Sequence, residues 1–257
     1  MFPELKTSTG DMFGGHAQLY AEARPTYPEA LYDHITSLCA HKESVWDVAT
    51  GNGQAAVPLA KRFERVFATD INQQQIASAI HGNNIVYSVQ SAESTDFQNN
   101  SFDLVSVAQA LHWFDYAEFW PEVDRVLKPG GLFAAWGYDW TKIDFEIDFQ
   151  LQKNLVDVLE DYWNPKAQLL WGGYQAEVVN FPYAKIASPD LSIDLYWTLE
   201  QLFQYFLSWS STQAYIKDNG TDFLEKAKQQ VAAHWGDTET RLIQWPIHTL
   251  FGYKPSF

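Results

Sequence analysis

Cysteine is almost absent from this chain of 257 residues, since Cys39 is the single one. One thiol cannot form an internal disulfide, and a chain without disulfides is typical of a reducing compartment, so we predict a cytoplasmic protein. Cys39 ends a predicted helix over Leu31–Cys39 whose apolar residues are spaced like a buried face. We therefore interpret this cysteine as a packing residue and not as a nucleophile.

Positive charge and long apolar runs are also scarce. Against 32 Asp and Glu residues there are 17 Lys and Arg residues, which gives a formal net charge of −15. A surface this negative repels phosphate backbones and anionic lipid headgroups, so nucleic acid and membranes are disfavoured as partners. The uncharged run Gln201–Ile216 is too short and too polar to span a membrane, and the N-terminus has no signal-peptide pattern.

What the sequence does contain is a regular alternation of strand-like and helix-like segments between residues 44 and 138. This alternation predicts βαβ units and a parallel sheet, hence an α/β fold, in a single domain over residues 1–257. Residues 1–43 are expected to cover the ligand-binding core, and residues 139–257 to add a helical cap and the remaining strands. In that last part we expect a strand near 178–186, a helix over 194–216 and a proline-interrupted strand, at an edge or with a bulge, over 241–255.

The most informative motif is the turn from Asp47 to Gly53, which follows one predicted strand and precedes a helix. Glycines at Gly51 and Gly53 allow a tight turn and a close approach of a ligand to the backbone, beside the positive end of the helix. Asp70 ends the next predicted strand, where an acid can accept hydrogen bonds from both hydroxyls of a ribose. The motif therefore predicts a nucleoside-containing ligand.

The glycine pattern departs from the dinucleotide fingerprint, because Ala56 stands where the third glycine belongs. Asp47 lies just before the glycines, where it would repel a pyrophosphate but can hold an ammonium group. The ligand indicated has an amino-acid end and an adenosine end, and S-adenosylmethionine is such a ligand. An NAD-dependent oxidoreductase on a similar fold is the alternative.

Five ordered blocks between residues 44 and 138 resemble the class I S-adenosylmethionine-dependent methyltransferases: VWDVATGNGQAA, ATDIN, QSAES, SFDLVSVAQALHWFD and RVLKPGGLF. The segments YAEARPTYP, QALHWFD and YWTLEQLFQYFLSWSSTQAY are similar to the trans-aconitate methyltransferase-like branch, which includes fungal enzymes that methylate small carboxylic acids. The resemblance implies a Rossmann-like, doubly wound, mostly parallel seven-stranded sheet whose last strand is antiparallel.

The resemblance also assigns a cofactor side. It implies that Asp70 binds the ribose, that Ile71 packs on the adenine, and that the backbone of the Asp47 turn lines the methionine moiety. The family commonly has glycine where this chain has Ala49. The cofactor-binding residues that the resemblance implies are Tyr20, Asp47, Ala49, Gly51, Gly53, Asp70, Ile71, Ala92, Glu93, Gln109 and Ala110.

The methyl acceptor is expected at the carboxyl end of the fourth strand, where open α/β sheets place their ligands. His112 lies there and is a candidate catalytic base, a candidate substrate contact or a structural residue. Arg24 is the second candidate for the chemistry, because a guanidinium pairs well with a carboxylate of the cofactor or of an acidic substrate. The candidates for the pocket wall are Trp113, Trp136, Trp197 and Trp209.

Methyl transfer to a small molecule is thus the predicted function. A carboxylic acid is one acceptor class, and it needs no general base. General-base methylation of oxygen or nitrogen in another metabolite stays open, as does a protein that binds the cofactor without turnover. A nucleic-acid methyltransferase is disfavoured by the charge and by the absence of an Asn-Pro-Pro-Tyr-type motif. No metal site is predicted, and the sequence leaves the oligomeric state open.

Overall fold

The first half of the molecule alternates between strands and helices. The computed structural model describes residues 24–256, and its first element is helix α1 (Glu29–Leu38), directly after Pro28. The elements that follow, up to residue 138, are β1 (Ser44–Val48), α2 (Ala56–Ala60), β2 (Arg65–Asp70), α3 (Gln73–Ala77), β3 (Ile85–Val89), β4 (Phe102–Ala108), a 3-10 turn (Leu111–Trp113), α4 (Tyr116–Val126) and β5 (Leu127–Tyr138).

The second half contains more helix than strand and contributes three more strands to the fold. Its elements are α5 (Phe145–Leu151), a π-helical turn (Gln152–Val156), a 3-10 turn (Glu160–Tyr162), α6 (Ala167–Trp171), β6 (Lys185–Ile186), β7 (Leu191–Trp197), α7 (Leu199–Leu207), α8 (Ser210–Asn219), α9 (Asp222–Trp235) and β8 (Arg241–Tyr253). Within the described residues, no helix has the length and apolar character needed to cross a membrane.

All eight of these strands belong to one sheet, with the order β3-β2-β1-β4-β5-β8-β6 and with β7 also paired to β8. Neighbours among β1 to β5 are parallel, whereas β8 runs antiparallel to β5. The predicted Rossmann-like fold with an antiparallel last strand is therefore confirmed. The strand count is eight and not seven, because β6 and β7 pair with opposite ends of β8 and share one position in the sheet.

The predicted helix over 194–216 is wrong in its first part, because β7 continues to Trp197, and the rest is divided into α7, which ends at Leu207, and α8, which begins at Ser210. The side chains of β7 alternate between more and less buried from Ile193 onward, and all seven residues of this strand pair with β8. The helix begins only after Thr198, whose hydroxyl and the side chain of Gln201 form a capping box. The strand expected near 178–186 is reduced to Lys185–Ile186.

The proline in the last strand is tolerated although β8 is not an edge strand. Pro246 pairs with Ser192 of β7 on one side. On the other side the pairing with β5 begins only at Ile247, and the next bridge joins Gln244 to Lys142. No sheet partner on that side needs an N–H at Pro246, so the missing donor leaves no carbonyl unpaired.

The single cysteine packs as its sequence context predicts. Cys39 directly follows α1, is 8% exposed and donates its thiol to the carbonyl of Ile35 at 3.4 Å. Burial raises the pKa of the thiol to about 12, so the reactive thiolate is strongly disfavoured. The geometry fits a structural residue.

Candidate functional site

A cavity of about 490 Å³ lies at the carboxyl ends of β1, β2 and β4, which is where open α/β sheets bind their ligands. Most residues predicted for the site meet there. Those that line the cavity are Arg24, Ala49, Gly51, Asp70, Ile71, Ala92, Glu93, Gln109, Ala110, His112, Trp113 and Trp209. Tyr20, also predicted for the site, lies outside the described residues.

The turn after β1 holds its shape through a left-handed backbone. Ala49 has a φ of 51° and Gly51 a φ of 59°, and the amide of Thr50 donates to the carbonyl of Thr69 at 2.9 Å. A Cβ atom on Gly51 would meet nothing nearer than Gln75 Oε1 at 3.9 Å. Gly51 therefore leaves open space on the cavity side, and a ligand can approach its backbone.

Gly53 is a glycine for a different reason, and it does not line the cavity. Its φ is 92°, and a Cβ atom there would collide with the hydroxyl of Tyr87. That hydroxyl donates to the carbonyl of Ile80 at 2.8 Å. The structure thus gives Gly53 a packing role between the turn and β3, which spacing along the sequence could not reveal.

Asp47 lies beneath the cavity and not in its lining. The carboxylate is fully buried and accepts hydrogen bonds from the hydroxyls of Thr50 at 2.6 Å and Ser106 at 2.8 Å. Burial raises its pKa to about 6, against the effect of these two hydrogen bonds. Asp47 can reach a ligand through Thr50, which does line the cavity.

Asp70 presents its carboxyl group at the end of β2. It accepts hydrogen bonds from the amide of Gly51 at 2.9 Å and from that of Asn72 at 2.8 Å. Burial raises its pKa, opposed by these two hydrogen bonds. Ile71 beside it is 67% exposed although it is apolar. An acid next to an uncovered aliphatic side chain suits a ribose that carries a flat base.

Two residues that follow β3 close this end of the cavity. Ala92 is nearly buried, and the Glu93 carboxylate accepts hydrogen bonds from the hydroxyl of Ser91 and, at 3.2 Å, from the amide of Asp115. Glu93 is therefore anchored in place by its neighbours. A small side chain beside a fixed acid fits the edge of an adenine.

Gln109 joins the ends of β4 and β5 at the cavity. Its side-chain amide donates to the carbonyl of Tyr138 and accepts from the amide of Tyr138, both at 2.8 Å. The backbone of Gln109 lies in the left-handed region with a φ of 56° and donates to the carbonyl of Trp136 at 2.8 Å. The side chain thus extends the β4–β5 pairing past the last backbone rung, while Ala110 continues the cavity floor.

His112 is buried and contacts two aromatic side chains, Tyr174 and Trp113. Its Nδ1 lies 2.9 Å from the hydroxyl of Tyr174, and its ring lies 4.7 Å from that of Trp113. Burial, with a smaller contribution from the charge of Lys166, lowers the pKa of His112 to about 4. The imidazole is therefore neutral near pH 7, in contrast with a base tuned to that pH.

Arg24 enters the cavity from the segment before α1. Its guanidinium carbon lies 5.5 Å from the centre of the Tyr205 ring, within the range of a cation–π contact. Among the described residues that line the cavity, Arg24 is the one Lys or Arg side chain. Asp139, which also lines it, is paired with His248 at 2.9 Å.

Two of the four predicted pocket tryptophans lie elsewhere. Trp113 and Trp209 line the cavity, but Trp136 is fully buried in the sheet core, where its ring meets Tyr27 edge-on at 5.8 Å. Trp197 ends β7 and packs on Trp245 at 4.9 Å. Both positions follow from strand geometry. Trp136 points from β5 into the core on one face of the sheet, and Trp197 lies on β7, which β8 separates from β5.

Sequence reasoning missed several aromatic residues at the same cavity. The second half of the chain is visibly rich in tryptophan, but only the folded chain brings these particular residues together. They come from the end of β5, from the loop before α6, from α6 itself and from α7: Trp140, Trp163, Trp171 and Tyr205.

Comparisons with known proteins identify the family. A family model described as a methyltransferase domain matches residues 46–135. The chain is 30% identical over 256 residues to a Dictyostelium discoideum protein named as a methyltransferase, which covers 96% of this chain and 97% of the relative. It is 23% identical over 238 residues to the Saccharomyces cerevisiae protein named as the S-adenosylmethionine-dependent methyltransferase CRG1. This match covers 78% of this chain and 80% of the relative.

A solved structure gives the same result in three dimensions. The chain is 33% identical to a protein from Anaeromyxobacter dehalogenans described as a type II methyltransferase, with a TM-score of 0.84. The match covers 91% of this chain and 99% of that one. The chain therefore belongs to the class I S-adenosylmethionine-dependent methyltransferases, and S-adenosylmethionine is its cofactor.

Proposed function

We propose that this methyltransferase acts on a small-molecule carboxylic acid, as in the trans-aconitate methyltransferase-like branch that its flanking segments resemble. The observation that carries the proposal is the position of Arg24, the one Lys or Arg side chain in the described lining of the cavity. A protein with a net charge of −15 has no long-range attraction for anions, so an acidic acceptor needs a local cation. Arg24 supplies one, and its planar guanidinium suits a carboxylate.

The proposal assigns other residues of the same cavity to the parts of S-adenosylmethionine. Asp70 accepts hydrogen bonds from the ribose, Ile71 packs on the adenine, and Ala92 with Glu93 borders its edge. The open backbone of Gly51 admits the methionine end. Asp47 acts from below through Thr50, where its buried charge favours a nearby ammonium group.

A carboxylate acceptor needs no strong base in the site. Bound S-adenosylmethionine supplies a methyl group on a sulfonium, so a carboxylate oxygen can take the methyl group while the electron pair of the broken S–C bond stays on sulfur. The products are a methyl ester and S-adenosylhomocysteine, and no proton has to be removed. The low pKa of His112 supports this assignment, because it disfavours a general base at neutral pH. The cavity residues position the acceptor and exclude water.

The test is a screen of carboxylic acids followed by kinetics of Arg24→Ala. We expect KM for the acid to rise by about one to two powers of ten, since one charge-assisted pair contributes about 1.5–3 kcal/mol. Arg241→Ala is the matched control, because Arg241 also lies over an aromatic ring, Trp235 at 5.9 Å, but outside the cavity lining. A large loss of kcat in His112→Ala with Arg24 indifferent would instead favour general-base methylation of a hydroxyl or amine.

A further inference from the structure

Four indole rings form one continuous surface in the cavity, here called the tryptophan wall: Trp140, Trp163, Trp171 and Trp209. Each ring contacts at least two of the others, with ring centres between 4.9 and 5.8 Å apart. Three of the four are only half-buried, and all four line the cavity. A half-buried aromatic cluster that faces a cavity is a surface for a ligand and not only a part of the core.

The strand order places this wall on the acceptor side. Along the edge of the sheet the strands follow as β3, β2, β1, β4 and β5. The residues assigned to adenine and ribose follow β3 and β2, and the open turn at Gly51 follows β1. Trp140 comes two residues after the end of β5. The wall therefore lies beyond the methionine end, on the side of the sheet edge opposite to the adenine end.

The wall offers flat apolar faces together with hydrogen-bond donors. Trp163 donates its indole N–H to the carbonyl of Val156 at 3.3 Å. The indole N–H groups of Trp140, Trp171 and Trp209 have no hydrogen-bond partner among residues 24–256. Indole faces pack best on planar or cyclic groups, and the N–H groups can donate to oxygen atoms at the rim of such a group.

We propose that the acceptor is a carboxylic acid with a ring-shaped apolar body, which packs against the tryptophan wall while its carboxylate lies near Arg24. This inference rests on the proposed function and narrows its substrate class. A small aliphatic polycarboxylate would need several cations, whereas the described lining supplies one and a broad aromatic surface. Beside the Tyr205 ring, a cationic amine would be repelled by the charge of Arg24, which already lies over that ring.

The experiment compares three probes on the complex with S-adenosylhomocysteine, whose own binding is first measured by calorimetry. Naphthoate carries a fused ring and one carboxylate, naphthamide the same ring without charge, and tricarballylate three carboxylates without a ring. We expect naphthoate to bind about tenfold or more tightly than either of the other two. Tricarballylate binding as tightly as naphthoate would overturn the inference, and so would a failure of naphthoate to bind.

Variants of the wall make the test specific. Trp171→Leu keeps an apolar side chain but removes one ring, and we expect naphthoate binding to weaken about three- to tenfold while the affinity for S-adenosylhomocysteine is unchanged. Trp171→Phe should restore part of the loss. Trp235→Phe is the control, because Trp235 lies outside the cavity lining. If Trp171→Leu binds S-adenosylhomocysteine normally and naphthoate as the wild type does, the wall has no role in acceptor binding.

The two levels of the proposal fail separately. Tricarballylate binding that depends on Arg24, with Trp171→Leu silent, removes the ring-shaped body but keeps the carboxylic acid. Binding of naphthoate and naphthamide with equal affinity, with Arg24→Ala silent, removes the carboxylic acid from the proposed function and overturns the inference with it.

Discussion

The hydroxyl oxygen of Tyr174 lies 2.9 Å from Nδ1 of His112, in a position that solvent does not reach. Burial raises the pKa of Tyr174 well above its usual value, so the phenol keeps its proton. The backbone amides of Leu111 and His112 have the smaller, opposite effect of lowering this pKa. Because Nδ1 of His112 is the side-chain partner of this hydroxyl, we expect the phenol to donate its proton to Nδ1. A neutral imidazole that accepts at Nδ1 carries its proton on Nε2, so His112 offers the site a donor and not a base.

Tyr174→Phe tests this arrangement. Removal of the hydroxyl leaves Nδ1 buried without a donor, and we expect the free energy of unfolding to fall by about 1–3 kcal/mol. Nitrogen NMR of labelled histidine should show the Nε2–H tautomer in the wild type and a mixture in the variant. Tyr253→Phe is the control, since it also loses one hydrogen bond to the protein, to the carbonyl of Leu38, but far from His112. A wild-type ring protonated at Nδ1 would contradict the argument.

Asp47 and His112 are buried groups whose pKa values shift in opposite directions. Burial raises the pKa of Asp47 from 3.8 to about 6, so its contribution to stability is fully present below pH 3.8 and is lost as the pH rises to about 6. Burial lowers the pKa of His112 from 6.5 to about 4, so its contribution is fully present above pH 6.5 and is lost as the pH falls to about 4. Each shift corresponds to about 3 kcal/mol, and the two effects oppose each other.

We therefore expect two variants to tilt the stability profile in opposite senses between pH 4 and 6.5. Relative to the wild type, Asp47→Asn should become more stable as the pH rises, because only the His112 effect remains. His112→Gln should become less stable over the same range. Urea denaturation at a series of pH values measures both slopes. Parallel profiles for all three proteins would show that neither group titrates in this window.

Asp70→Ala should weaken the binding of S-adenosylhomocysteine by about 1–3 kcal/mol, because the ribose loses a charged acceptor. The affinity of Asp70→Asn for S-adenosylhomocysteine should lie between those of Asp70→Ala and the wild type. Asp103→Ala is a matched control, since Asp103 also accepts two backbone amides, those of Glu43 at 2.9 Å and Ser44 at 3.0 Å, but near the start of β1. Calorimetry on the three variants separates ribose binding from backbone support. An unchanged affinity in Asp70→Ala removes this carboxyl from the cofactor site.

Gly51→Val should abolish cofactor binding while the fold persists, because the side chain fills the space beside the open turn. The positive φ of 59° adds backbone strain, which needs its own control. Gly220→Ala provides it: Gly220 has a φ of 82°, no atom lies within 4 Å of its Cβ position, and it is outside the cavity lining. We expect both variants to lose thermal stability and only the Gly51 variant to lose binding. Normal binding by Gly51→Val would make the turn a structural connection only.

The parts of the fold that local sequence determines were predictable, and those that depend on pairing at a distance were not. The apolar run of β4 and the alternation around it predicted the parallel sheet. The last four residues of β7 were mistaken for helix, because they form a strand only through their pairing with β8. The same limit applies to the site. Asp70 and Gly51 follow directly from strand ends, whereas the tryptophan wall collects rings from segments far apart in the chain.

The two hydrogen bonds between the Gln109 side chain and the Tyr138 backbone have a consequence for how the two ligands affect each other's affinity. Gln109 lines the cavity where we propose that the cofactor binds, and the Tyr138 backbone that it holds lies two residues before Trp140 of the tryptophan wall. A cofactor that fixes Gln109 therefore also restricts the strand end from which the wall begins. We expect such a shared element to make the binding of the two ligands cooperative, with a coupling that acts equally in both directions. We expect the acceptor to bind more tightly to the protein loaded with cofactor than to the empty protein, and the cofactor to gain affinity by the same factor when the acceptor is bound.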